Sequence, residues 1–551
     1  MRQIGFKNFR RFEDFPVIDI NPITIFVGEN NAGKSTVVKA MLSVLDFLNS
    51  SMFEELSSET FGSNEFWEKV SVLLKEKNFY FNKNYYAHIG TFSRAIYNKS
   101  KGNTITFSIT IDNRKYTIVV EGNKKDTEAI SGKVISVKVH NADYNIDIAF
   151  DFKGNEIIYT FHPGVSPIFV PSKPKEQVEE AEDESEEDEF DQKYRKYQEE
   201  RQKILKEYGK YSDSFSRDVI VTTDFKMSPM HSFSYQYVGN LLTIACEKLL
   251  DTIADENEEK DEYDVLMGHR SPKKKIIIED IPEATLQFLL NNKRLIKEML
   301  KSEHMDMYLT DRFRVEYFYA HAVMQTIIYS AKDTNDYLVK TIHEFANARI
   351  AKGSKADKFI KKWMSTLGIG CDYDLSSVGG EAHLVKIEGN DGTLVNLSDK
   401  GMGSIQLMVL LFRIATFMGR RGNGQATIII EEPEQNLHPS LQSKLADLFY
   451  ELNSKYHFNF IIETHSEYLV RRSQVIVAKE NKKASKDKKK KEWTNPFKVY
   501  YFPADGHPYD MEYASDGYFE KSFGKGFFNV SSELSLDLDR VEQGIYDEGQ
   551  D

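Results

Sequence analysis

Ile23-Thr24-Ile25-Phe26-Val27-Gly28-Glu29-Asn30-Asn31-Ala32-Gly33-Lys34-Ser35-Thr36 is the stretch whose reading decides the fold. Gly28 to Thr36 satisfies G-x-x-x-x-G-K-[S/T] at every fixed position. Before it stands an apolar, β-branched run that reads as a buried strand; after it, Val37 to Leu45 is apolar at helical spacing. Strand, glycine turn and helix form the context in which this pattern binds phosphate. Gly28 and Gly33 let the backbone curl so that successive N–H groups face phosphate oxygens. The new helix adds the positive end of its dipole. Lys34 is expected at the β- and γ-phosphates of ATP and the Ser35 hydroxyl on Mg2+, with Asn30, Asn31 and Thr36 completing the nucleotide loop.

A second stretch, Thr427-Ile428-Ile429-Ile430-Glu431-Glu432-Pro433-Glu434, reads as a strand buried on both faces, as at the centre of a parallel sheet. Two adjacent carboxylates at the end of such a strand need a cation to justify them. With the phosphate loop upstream, Mg2+ on a triphosphate is that cation. Glu431 is expected to hold the metal through water and Glu432 to polarise the attacking water. Asn436-Leu437-His438-Pro439 leads into a helix over Ser440 to Leu452, and Phe458 to Ile462 returns as a strand ending on Glu463-Thr464-His465-Ser466. His465 leaves that strand at the carboxyl edge, where α/β sheets bind ligands, and is expected at the γ-phosphate. Ser398-Asp399-Lys400-Gly401-Met402-Gly403-Ser404-Ile405-Gln406 precedes the apolar helix Leu407 to Met418; a Ser- and Gly-rich helix start offers N–H groups to an anion.

The 551 residues predict two to four domains. An apolar fraction of 40% with 28% charged residues describes a soluble globular protein, and no apolar run approaches a membrane span. With only Cys246 and Cys371, neither a disulfide scaffold nor a cysteine zinc site is expected, which fits a reducing cytoplasm. The net charge of −13 excludes a uniformly basic surface but leaves room for a local basic groove on DNA.

The chain opens with Ile4 to Phe12, alternating as a half-buried strand does, in which Arg10 and Arg11 are placed to cover the nucleotide or to lie on the surface. Val17 to Ile20 is a second strand. Between Thr104 and Phe161, runs punctuated by Asp112-Asn113, Glu121-Gly122-Asn123 and Lys153-Gly154-Asn155 predict an antiparallel sheet. Glu176 to Asp191 is an acidic, solvated segment and Gln192 to Lys210 a polar surface helix. Helical spacing then dominates from Ser234 to Leu367, including Val315 to Ile350, and predicts a helical insertion. Two strands flank the turn Asn390-Asp391-Gly392. Lys482-Lys483 and Lys486 to Lys491 read as a lysine-rich loop able to touch phosphate backbone, and Lys498 to Phe502 as a closing strand.

In this order the four stations resemble the ATP-binding-cassette ATPases of the SMC, RecF and OLD (overcoming lysogenization defect) group. They are a Walker A at Gly28–Thr36, a signature-like Ser398–Gln406, a Walker B at Ile428–Glu432 and a switch histidine, His465. Phe6-Lys7-Asn8-Phe9-Arg10 and Glu431 to Pro439 are especially similar to AAA-type OLD-like proteins of bacterial defence systems. The resemblance implies an α/β fold: a split ABC-type P-loop ATPase head, a mixed sheet with flanking helices, interrupted by a mainly helical insertion. The halves would be 1–170, with the Walker A, and 381–505, with signature, Walker B and switch. Between them would lie an acidic segment with its polar helix over 171–233 and the insertion over 234–380; a tail over 506–551 follows.

The resemblance also implies roles. Lys34 and Ser35 would hold phosphate and Mg2+, Glu431 would stand where an Asp is usual, Glu432 would be the catalytic base, and Arg10 would join the nucleotide contacts. Ser398, Gly401 and Gly403 would reach the ATP of a second subunit, giving a homo-oligomer through a head-to-tail ATP-sandwich dimer. The signature reads Ser-Asp-Lys-Gly-Met-Gly instead of Leu-Ser-Gly-Gly-Gln. OLD nucleases carry a TOPRIM domain after the ATPase; about 85 residues follow His465 here, fewer than a typical domain of ~100 residues plus the closing strand. The implied function is an ATPase that controls a separate effector chain, a nuclease or toxin, in anti-phage defence. A RecF- or SMC-like ATPase acting on DNA in repair is the alternative, with a transporter's nucleotide-binding subunit and a toxin acting through its own insert further behind.

Overall fold

The computed structural model describes residues 2–49, 78–162, 219–224, 315–318, 329–330, 337–419, 427–486 and 493–524, with short gaps inside these ranges and a few positions beyond. The acidic segment, the polar helix after it and the expected helices around Leu241–Leu249 and Ala284–Leu300 lie outside the described residues, as do the expected domain limits at 170, 233 and 380. The chain divides into two compact units, one of Met1–Ile18 with Ala40–Arg312, the other of Asp19–Lys39 with Phe313–Asp551.

The first unit is built on one sheet. Its strands are β1 (Gln3–Phe9), β2 (Phe12–Asp19), β4 (Asn78–Tyr80), β5 (Thr104–Ile111), β6 (Arg114–Glu121), β7 (Ser131–Asn141), β8 (Ile146–Asp151), β9 (Glu156–Phe161) and β10 (Val219–Asp224). They run in the order β10-β9-β8-β7-β6-β5-β1-β2, with β4 beside β7. Strict alternation buries Ile105, Phe107, Ile109 and Ile111 on β5 and Tyr116, Ile118 and Val120 on β6. The register against β7 slips between Val119 and Val120, which is why the buried positions of β7 are Val134, then Val137 and Val139. Aromatic rings fill the core: Phe6 stacks on Phe15 at 4.4 Å and Phe79 on Phe107 at 5.2 Å.

The second unit carries a six-stranded sheet. Here β3 (Ile23–Gly28), β11 (Val315–Phe318), β16 (Thr427–Glu431), β17 (Asn459–Glu463), β18 (Phe497–Phe502) and β19 (Tyr509–Asp510) take the order β11-β16-β17-β3-β18-β19. All neighbours pair parallel except β18 with β19. Ile428 to Ile430, Phe460 to Ile462 and Ile23 to Val27 are buried without alternation, as a parallel sheet covered on both faces requires. The helices of this unit are α3 (Tyr337–Asn347), α4 (Lys355–Thr366), α5 (Met402–Gly419), α6 (Pro439–Tyr456) and α7 (Glu467–Lys486); α1 (Lys34–Asn49) and the short α2 (Phe92–Ala95) precede them in the chain. The apolar faces of α3 to α7 share one core with the sheet, in which Phe345 of α3 stacks on Phe412 of α5 at 4.2 Å. A small sheet of β12 (Tyr329–Ser330), β14 (Ala382–Glu388) and β13 (Asp372–Val378), with β15 (Leu394–Asn396) on β14, leads the chain into α5.

The mixed α/β class expected from the sequence is the one observed. Two local readings are corrected. Val315–Phe318, expected within helical spacing, is an edge strand parallel to β16, because four apolar-rich residues satisfy either period and the sheet supplies backbone partners. Lys482, Lys483 and Lys486 continue helix α7 instead of starting a loop, with Lys483 paired to Glu480 at 2.6 Å and Asn481 Nδ2 donating to Ser515 O; residues 487–492 lie outside the described residues. The segment after Phe502 folds back as β19 and places Met511, Tyr513 and Phe519 against the core.

Candidate functional site

The carboxyl ends of β3, β17 and β16 converge, and the chemistry stands there. Gly28 takes φ 139° and Gly33 φ 106°, with Asn31 at φ 60° between them. A Cβ on Gly28 would lie 2.1 Å from the Phe502 carbonyl oxygen of β18, so only glycine lets the loop leave its strand here. The Glu29 N–H donates to that same oxygen at 3.2 Å. Helix α1 starts where the Thr36 and Val37 N–H groups turn to the Gly33 carbonyl, at 3.0 and 3.3 Å. Lys34 is buried, and its ammonium donates to the carbonyls of Gly28 at 3.1 Å and Glu29 at 2.8 Å. Burial lowers its pKa, against the raising influence of Glu463, Glu432, Glu434 and Glu29.

Ser35 Oγ donates to Glu463 Oε1 at 2.7 Å. Glu463 ends β17, level with Glu431 at the end of β16, and is buried. Burial first, then the Glu431 charge, raises its pKa to about 7, while the Ser35 hydroxyl and Lys34 oppose the rise. Its Oε2 is buried without a hydrogen-bond partner. The sequence reading gave Glu463 no role; the signal was a second buried strand ending on a carboxylate, the same argument that singled out Glu431 and Glu432.

Glu432 breaks from β16 at φ 44°, its N–H donating to Glu463 O at 2.7 Å. A left-handed non-glycine residue costs on the order of 1–3 kcal/mol and is tolerated where its surroundings fix it. They do so here: Gln435 N–H returns to Glu432 O and Leu437 N–H to Glu434 O. Buried Glu434 then accepts the His465 N–H at 2.7 Å, tying the turn after β16 to the turn after β17. Ser466 Oγ donates to Gln442 Oε1 at 2.6 Å and caps Leu469 N–H at the start of α7, while Gln442 Nε2 donates to Leu437 O. His465 remains at the surface, where partial desolvation and then the Lys34 charge lower its imidazole pKa, with Glu432 pulling the other way.

Lys34, Ser35, Glu431, Glu432 and His465 thus stand along one sheet edge, with β17 between the Walker A and Walker B strands. Asn30 and Asn31 are exposed in the loop and Thr36 is buried in the first turn of α1. The signature-like segment splits in two. Ser398 lies in a 3-10 turn and Gly401 is open, a Cβ there meeting nothing within 4 Å, whereas a Cβ on Gly403 would lie 2.6 Å from Asn436 O. Gly403 therefore lets the start of α5 pack on the turn after the Walker B strand. Arg10 belongs to the first unit, in the β1–β2 turn at φ 54° with its N–H on Ala95 O, so it is not among the residues that the second unit gathers.

A triphosphate with a divalent cation fits this donor set. The glycine conformations open N–H groups at the head of a helix, a buried lysine stands beside them, and a buried carboxylate oxygen without a partner sits next to the Ser35 hydroxyl.

A family profile described as "AAA ATPase domain" matches residues 1–470. No curated protein matches the chain. Among solved structures, the chain is similar to the Smc head domain with an extended coiled coil bound to the C-terminal domain of ScpA from Pyrococcus furiosus, at 11% identity and a TM-score of 0.31, covering 98% of this chain and 99% of that one. It is also similar to the Smc head domain with a coiled coil and joint from Pyrococcus yayanosii, at 12% identity and a TM-score of 0.33 over 94% and 97%. A third is the SMC head domain from Thermotoga maritima, at 9% identity and a TM-score of 0.28 over 86% and 92%.

Proposed function

Because the chain belongs to the AAA ATPase domain family, we propose that it binds and hydrolyses ATP with Mg2+ at the edge of β3, β17 and β16, and that this cycle controls a separate effector chain in anti-phage defence. One observation carries the ATPase reading: Lys34, Ser35 and the Glu431–Glu432 pair, far apart in sequence, stand at the carboxyl ends of strands of one sheet, with Ser35 hydrogen-bonded to Glu463. The resemblance of Glu431 to Pro439 to OLD-like proteins supports the defence role.

In this mechanism the loop N–H groups and Lys34 bind the phosphates, and Lys34 releases the Gly28 and Glu29 carbonyls to do so. Bound Mg2+ supplies charge neutralisation at the phosphates. Ser35 and Glu431 hold it, and Glu463 orients the Ser35 hydroxyl. Glu432, fixed in its strained turn, takes the proton of the attacking water. His465 donates to the γ-phosphate, its backbone held by Glu434. Ser398 and Gly401 contact the ATP of a second copy in a head-to-tail dimer.

The test is to purify the full chain carrying Glu432→Gln from its native host and identify what co-purifies with ATP. A nuclease or toxin retained only with ATP is expected. An ATPase-active chain that retains no effector, yet binds duplex DNA tightly with ATP, would place it with repair clamps of RecF type.

A further inference from the structure

Outside the nucleotide site, β7, β8 and the residue that follows β9 in the first unit carry His140, Asp147 and His162. His140 on β7 is the direct register partner of Asp147 on β8. His162 follows β9, with its N–H on Asn145 O, so it lies diagonally from Asp147 on the same face. Direct and diagonal cross-strand neighbours are within reach of side chains of this length. His140 Nδ1 lies 2.8 Å from Asp147 Oδ1 and His162 Nε2 3.0 Å from Asp147 Oδ2. One ligand atom from each of the three falls within 4.8 Å of the others. Asp147 is buried, whereas both imidazoles keep an edge in solvent.

From this cluster we infer a zinc-class cation site on the first unit, formed by His140, Asp147 and His162 with water as fourth ligand. Two imidazole nitrogens and one carboxylate oxygen suit Zn2+ and disfavour Mg2+, which takes oxygen ligands and keeps its own waters. Two ligands come from paired strands and His162 is tied to Asn145 O by its own N–H, so their spacing is fixed by backbone pairing. The cation replaces one group: the Lys138 ammonium, on the same face of β7, lies 2.6 Å from Asp147 Oδ2. Lys138 is half exposed and swings into solvent without breaking another contact of the cluster. The bound ion ties β8 and β9 to β7.

The test uses the full chain, stripped with chelator and titrated with Co2+ and then Zn2+. Expected is one Co2+ equivalent with the intense visible absorption of tetrahedral cobalt, displaced by Zn2+, and a rise in the melting temperature of the chain on adding Zn2+. Asp147→Asn and His162→Ala should each weaken binding by about a hundredfold or more and abolish the thermal shift. Lys138→Met, which removes the competing ammonium, should bind as tightly as the natural chain or tighter. His162 is at the end of its strand and partly exposed, so His162→Ala decides the matter where Asp147→Asn fails to fold. Equal cobalt spectra and zinc affinity in the natural chain and His162→Ala would overturn the proposal and leave the imidazoles as hydrogen-bond partners of Asp147. Loss of binding in Lys138→Met, folded and with intact histidines, would overturn it as well.

Discussion

Lys34 is the only charged side chain of the phosphate loop that the fold buries, and its ammonium is held by loop carbonyls. Replacing it with Ala removes a buried charge without touching the core, so the chain should stay folded and lose ATP binding by about a hundredfold, two powers of ten for ~2.7 kcal/mol. Equilibrium binding of a fluorescent ATP analogue checks this. Glu463→Ala should behave differently. Ser35 would lose its acceptor, so nucleotide affinity without metal should hold while the Mg2+ concentration for half-maximal turnover rises by about ten- to a hundredfold. A magnesium titration of steady-state hydrolysis separates the two variants. Glu463 also marks the limit of sequence reading at this scale. Glu431 and Glu432 were found because two carboxylates at a buried strand's end demand a partner. Glu463 is a single one, and its partner stands 428 residues earlier.

Each strand and helix at the site is legible where one period runs for several residues. The phosphate-loop strand, the isoleucine strand of the Walker B and the helix after His438 are all read from local pattern, and His438 itself caps that helix by accepting the Ser440 N–H. The short β11 and β12 are not, because a run of two to four residues fits helix and strand alike. Contacts between elements are invisible in the pattern too. Arg472 of α7 reaches Asp447 of α6 with two hydrogen bonds of 2.8 and 2.9 Å, but both groups are about one-third exposed, so this pair contributes only ~0.2–1 kcal/mol. The entry of α4 matters more. Asp357 is buried, accepts the Gly353 N–H at 2.8 Å and the Tyr373 hydroxyl at 3.1 Å, and sits 3.4 Å from Lys361. Burial alone would raise its pKa, but those bonds and that charge outweigh it and hold the pKa below the ordinary 3.8. A carboxylate lowered in the folded state stabilises fully above its unfolded pKa and loses that contribution as pH falls through the folded value. Asp357→Asn should therefore cost about 1–3 kcal/mol at pH 7. The difference from the natural chain should shrink below pH 3.8. Denaturant melts at a series of pH values give both quantities.

The whole chain assembles its nucleotide sheet from two distant segments, 19–39 and 313–551, and strand order is what no local pattern could supply. Strand β17 separates β3 from β16, so the Walker A and Walker B strands are not direct neighbours. No helix among the described residues is long and apolar enough to cross a membrane. If ATP joins two copies through Ser398 and Gly401, the Glu432→Gln chain should double its mass in light scattering when Mg-ATP is added, and an added Gly401→Glu should keep it monomeric. An unchanged mass in both would remove the sandwich from the proposal and leave the binding site intact. The sheet order also carries a consequence for synthesis. Among the described residues, strand β3 pairs with β17 and β18, both of which leave the ribosome roughly 430 or more residues later. At ~5–20 residues per second the nascent Ile23–Val27 waits roughly 20–90 s with its backbone unpaired. An apolar ribbon left open for that long invites pairing with another nascent chain. Slowed elongation over the intervening codons should therefore lower the yield of soluble protein more than the same delay imposed after Phe502, and a chaperone that shields the first thirty residues should restore it.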